Sequence, residues 1–185
     1  WFLGEFTWGF YEIFLGVEAP VTSAADIFWL AGYPLLIIGI SLVWNSTKMK
    51  VNSRRMISSA VLSALLLVIC VYLSTPALTS TDLSLPEKVT TAGYIIGDAG
   101  LLITVIVTMV HIPSKELFRL WVAILAALAL ITAADVLYTY FLSSYFTGHI
   151  IDVLWDLGYI LLAFGFFNYA VKYRKVLDIV FKNID

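Results

Sequence analysis

Long apolar runs separated by short polar links fill almost the whole chain, and no other feature restricts its fold as strongly. Of 185 residues, 61% are hydrophobic and 13% charged, with a mean hydropathy of +0.94. A water-soluble domain is about half apolar and about a quarter charged, so this chain has too few polar residues to cover a soluble surface. Lipid must be its solvent. A spanning helix needs ~20 residues, which makes the length sufficient for six helices and leaves no room for a soluble catalytic domain. The expected fold is all-α, a polytopic transmembrane helical bundle.

The runs place helices at about residues 1–15, 24–44, 56–74, 89–110, 117–141 and 150–169. Residues 1–171 form the membrane domain, and 172–185 a juxtamembrane helical tail with apolar Val176, Leu177, Val180 and Phe181 among its charges. The links carry Pro20 and Pro113. Lys48, Lys50, Arg54, Arg55, Lys115, Arg119, Lys172, Arg174, Lys175 and Lys182 all fall on one side of the six alternating spans, and of the 11 basic residues only Lys88 lies opposite. Short cytoplasmic loops collect Lys and Arg, so both chain ends are expected to face the cytoplasm. The chain opens at Trp1 with no signal-peptide pattern, and its first helix looks clipped, as if a longer gene product continues before it.

An internal match is the most specific pattern. DIFWLAGYPLLIIGI aligns without gaps to DVLWDLGYILLAFGF, pairing Asp26 with Asp152, Trp29 with Trp155, Gly32 with Gly158, Tyr33 with Tyr159 and Gly39 with Gly165. The Asp, Trp and Tyr share one helical face and the glycines another, so one stripe can present polar aromatic groups while the other permits close helix contact. Both helices run inward, so the repeat is parallel, unlike the inverted repeats of many carriers. Gly93 and Gly97, Ser59 and Ser63, and Ala123 and Ala127 provide further small-residue crossings.

The acids gather in the outer half: Glu12, Asp26, Asp98, Asp135, Asp152 and Asp156. A carboxylate in hydrocarbon costs several kcal/mol, so such groups face the bundle interior, water or each other. This predicts an outward-opening acidic pocket lined by Tyr11, Trp29, Tyr33, Tyr94, Tyr138, Trp155 and Tyr159. Four of these acids have a structural alternative. Ser23 and Asp26 nearly form a capping box, Asp152 suits the first turn of a helix, and Asp98 and Asp135 can serve as polar glue between helices. Glu5 resists assignment.

Cofactor chemistry finds no foothold. No span has a mid-helix lysine for retinal, His111 and His149 lie at opposite helix ends, and no nucleophile elbow, phosphate loop or zinc-protease motif occurs. His149, Asp152 and Asp156 share a face that can hold a divalent metal, but a solvated helix-end cluster is the preferred reading, so neither metal nor cofactor is expected. The single Cys70 excludes an intrachain disulfide, and a net charge of -2 gives no reason to expect nucleic acid.

FYEIFLGVEAPVTSAADIFWLAGYPLLIIGI and TAADVLYTYFLSSYFTGHIIDVLWDLGYILLAFGF resemble the opening and closing hairpins of a multi-pass sensory membrane module. That module precedes histidine kinase, diguanylate cyclase and phosphodiesterase domains in bacteria and archaea, or stands alone. The resemblance implies an inner-membrane signal-input domain without enzymatic activity of its own, acting as a homodimer or through a signalling partner. At matching positions it points to Tyr11, Glu12, Asp26, Tyr33, Pro34, Asp135, Asp152, Trp155 and Tyr159; the acid placement adds Trp29 and Asp98 as ligand-binding candidates. A structural subunit of a larger complex and a small ion or solute carrier are the competing classes.

Overall fold

The computed structural model describes residues 1–17, 22–46, 53–112 and 115–182, with side chains of the last helix described to Lys172. Pro20, Lys48, Lys50 and Pro113 lie outside the described residues, as do the side chains of Arg174, Lys175, Val176, Leu177, Val180, Phe181 and Lys182. Among the described residues six α-helices follow in order: α1 (Phe2–Ile13), α2 (Ala24–Ser46), α3 (Ser53–Thr79), α4 (Leu85–Val110), α5 (Lys115–Phe141) and α6 (Ile150–Lys182), with one 3-10 turn at Leu142–Ser144. The described residues contain no strand. Helices α2 to α6 are each long and apolar enough to cross a membrane, whereas α1 has only 12 residues. The chain is a multi-pass membrane bundle. A helix satisfies its own backbone donors and acceptors, which hydrocarbon cannot do for any open alternative.

Several boundaries lie beyond the apolar runs. Helix α4 starts at Leu85 rather than near residue 89, because Ser84 and Glu87 form a reciprocal capping box: the Ser84 N–H donates to Glu87 Oε2 at 2.6 Å, and Pro86 occupies the first turn. Helix α3 continues through Pro76 to Thr79. Thr75 and Thr79 hydroxyls donate back to the carbonyls of Val71 and Thr75, each at 2.8 Å, and keep the helix closed around the proline.

The core lies where α4 and α5 cross, around Leu101, Val105, Trp121, Ile124, Ala127 and Ile131. Helices α5 and α6 form a long antiparallel pair, in which Trp155 meets Asp135, Gly158 meets Ile131, Gly165 meets Ile124 and Trp121 meets Tyr169. A Cβ at Gly158 would stand 2.6 Å from Ile131 Cγ1 and 3.2 Å from the Ala127 carbonyl, so only glycine permits this approach. In α2 the equivalent stripe serves differently: Gly32 meets the Trp1 ring, and Gly39 faces open space. Leu35, Ile38 and Leu42 of α2 and Phe164 and Phe167 of α6 are exposed, as lipid-facing residues must be.

Candidate functional site

The glycine pair on α4 sets the position of the site. Leu30 packs over Gly93 and the Tyr33 ring over Gly97, where an added Cβ would lie 2.5 Å from the ring. That close crossing carries the Tyr33 hydroxyl into the bundle interior, where it donates to Asp98 Oδ1 at 2.8 Å and, more weakly, to Asp135 Oδ2 at 3.4 Å. The indole N–H of Trp155 donates to the other Asp135 oxygen at 2.8 Å. Nearer the acidic end of the bundle, Tyr94 donates to Asp26 Oδ1 at 2.7 Å, and Trp29 to Glu5 Oε1 at 3.0 Å. Among these groups lies a cavity of about 280 Å³, just below the range of roughly 300–1,000 Å³ usual for small-molecule sites. Tyr159 lines the same part of the cavity.

The repeat becomes a repeated set of bonds. Asp26 Oδ2 accepts the Ser23 N–H at 2.7 Å, and Asp152 Oδ2 accepts the Gly148 N–H at 2.7 Å. The other oxygen of each takes a tyrosine hydroxyl, from Tyr94 on Asp26 and from Tyr145 on Asp152. Trp29 and Trp155 each donate to a carboxylate of the preceding helix, Glu5 on α1 and Asp135 on α5. The tyrosines differ: Tyr33 donates to Asp98 on another helix, while Tyr159 lines the cavity beside the Trp1 ring. Helix-start capping therefore explains one oxygen of Asp26, while Tyr94 holds the second at the cavity wall.

Glu12, Asp26, Trp29, Tyr33, Asp98, Asp135, Asp152, Trp155 and Tyr159 all line the cavity, together with Tyr94 and Tyr138. Tyr11 does not: it lies half-buried on α1, one residue before Glu12, which accepts a hydrogen bond from Thr147 of the α5–α6 link. His149, Asp152 and Asp156 do not converge on a common point, because His149 Nδ1 takes the Ile151 N–H and both Asp152 oxygens are occupied within the link. Among the described residues no three His, Cys, Asp or Glu side chains could hold a metal ion. Glu5, Tyr145 and Thr147 belong to the site and were not expected there. The i, i+7 spacing of Glu5 and Glu12, one face of α1, was the available sign for the first.

Gly148, at φ +93, turns the α5–α6 link so that Tyr145 reaches Asp152 at 2.8 Å. Burial, then the hydrogen bond to Asp152 and the charge of that carboxylate, pushes the Tyr145 hydroxyl above the usual tyrosine range. A raised folded-state value means that its stabilisation is complete below the unfolded value of ~10 and is lost as the pH rises through the folded one. Thermal unfolding of Tyr145→Phe should accordingly show less loss of stability above pH ~10 than the unaltered protein. Identical alkaline limbs would remove this contact as their cause.

Compared with known proteins, the chain matches no family model, no curated protein and no solved structure.

Proposed function

We propose that this chain is a membrane signal-input module whose cavity takes a small ligand and converts its occupancy into a displacement of α6 relative to α2. The observation that carries the reading is the placement of the repeat. Both copies point their Asp–Trp–Tyr stripe at one cavity, yet among the described residues α2 and α6 share no close backbone contact. Their halves of the cavity are joined by side chains, including Tyr33 to Asp135 and the Trp1 ring against Tyr33 and Tyr159 at 5.4 and 5.9 Å. A ligand seated among those side chains has different contacts in two arrangements of the halves, which is what a shift of populations requires.

Two further features support it. Pro34, beside Tyr33 inside α2, cannot donate to the carbonyl four residues back, which provides a bending point next to the site. Helix α6 is continuous from the cavity to Lys182, and the part beyond Lys172 adds about 15 Å of helix past the span. By the charge asymmetry of the links, the cavity end faces outward and α6 leads into the cytoplasm. The similarity of the two hairpins to sensory membrane modules agrees with this direction of transmission.

The test uses nitroxide labels on lipid-facing positions, Leu42→Cys and Phe167→Cys in a Cys70→Ala background, with the full chain in nanodiscs. A thermal-shift panel of amines, carboxylates, sugars and alcohols selects an occupant. The reading expects the label distance distribution to move when that occupant is added. An unchanged distribution with a confirmed occupant overturns it.

A further inference from the structure

Resting on the reading of the cavity as a ligand site, we infer that its ligand is a small organic cation, an ammonium or quaternary ammonium compound. Seven carboxyl groups line the cavity, from Glu5, Glu12, Asp26, Asp98, Asp135, Asp152 and Asp156, and none of the lining side chains is Lys, Arg or His. The partners that position these carboxyls are neutral. Tyrosine hydroxyls hold Asp26, Asp98 and Asp152, an indole N–H holds Glu5 and another holds Asp135, and a threonine hydroxyl holds Glu12. Neutral donors fix the oxygens in place and bring no positive charge to the cavity wall. The described ion pair Lys172–Glu116, at 3.9 Å, lies at the opposite end of the bundle. A cavity so built has acceptors in excess and no cationic side chain in its wall.

The walls decide between an inorganic and an organic cation. A bare metal ion needs several oxygens converging within 2.6 Å or less, and the described acids offer no such group. Between the carboxyls stand aromatic rings instead. Tyr138, Tyr145 and Trp155 form one cluster, with centroids 4.8 to 6.3 Å apart, while Trp1 and Tyr33 form part of another. Asp135 lies between the two, bonded to Trp155 in the first and Tyr33 in the second. Ring faces attract large, weakly hydrated cations, and aromatic cages are a general solution for quaternary ammonium groups. The same wall carries an unused polar group. The Thr132 hydroxyl oxygen is buried, lines the cavity and has no hydrogen-bond partner, so it is available to the polar end of such a ligand.

The experiment titrates the full chain in nanodiscs with choline, with tetramethylammonium and with 3,3-dimethylbutan-1-ol, the uncharged isostere of choline, at constant ionic strength. Tryptophan fluorescence and the unfolding midpoint are the readouts. The inference expects saturable binding of at least one ammonium probe, at least tenfold weaker binding of the isostere, and at least a tenfold loss of ammonium affinity in the double variant Asp98→Asn/Asp135→Asn. Equal binding of the isostere overturns the cation inference and leaves the cavity reading intact. Binding of only carboxylates or sugars from the thermal-shift panel does the same. A chain that binds no compound of any class overturns both.

Discussion

Asp135→Ala is expected to lower the stability of the bundle by about 1–3 kcal/mol, the cost of leaving a buried donor unmatched. Asp135 is the acceptor for the Trp155 indole N–H at 2.8 Å, and it is the second acceptor for Tyr33, which keeps Asp98. The alanine variant leaves the half-buried indole without its acceptor. It also loosens the α5–α6 pair at its cavity end. Asp135→Asn retains one oxygen acceptor and the shape of the side chain, so it should recover most of the loss. Unfolding midpoints of the two variants in the same nanodiscs check this. Equal destabilisation by Ala and Asn would mean that the charge, rather than the acceptor, supports the fold.

Gly97→Leu should have an effect of similar size through a different cause. Its Cβ would begin 2.5 Å from the Tyr33 ring, which is 4% exposed and held by its hydroxyl to Asp98. Overpacking of this kind costs about 1–3 kcal/mol. The only route of relief turns Tyr33 away from Asp98 or spreads α2 from α4. Either movement collapses the shared hydroxyl between Asp98 and Asp135, so ligand response should be lost together with stability. Gly39→Leu is the control, since a Cβ there meets nothing within 4 Å. If Gly97→Leu matched the control, the close α2–α4 crossing would not be what positions the site.

Much of this architecture is legible in the residues, and what is not has identifiable physical causes. Apolar runs locate all six helices because the membrane imposes length and hydrophobicity directly. The alignment of Asp26, Trp29 and Tyr33 with Asp152, Trp155 and Tyr159 identifies the stripes that face the cavity, since helical periodicity fixes which residues share a face. It cannot identify the acceptors, because Glu5 and Asp135 lie on other helices and pair with the tryptophans only through packing. Tyr145 and Thr147 escaped notice for another reason. They belong to a link whose path depends on the left-handed turn at Gly148, and apolar periodicity carries no information about links. The early start of α4 was readable in Ser84-x-x-Glu87, but a polar capping box precedes the apolar run by which a span is recognised.

The central claim is that the acids at this end of the bundle form a receiving site for a cation, beyond the acceptor role by which Asp98 and Asp135 hold Tyr33 and Trp155. The most direct measurement is the unfolding midpoint of Asp98→Asn/Asp135→Asn beside that of the unaltered chain, in nanodiscs near neutral pH, with choline affinity read on the same samples. The amides keep oxygen acceptors for Tyr33 and Trp155 while leaving neither residue able to carry a negative charge, so the account predicts an unchanged or raised midpoint and at least a tenfold loss of affinity. A midpoint lowered as far as that of Asp135→Ala, with choline bound as before, would contradict it.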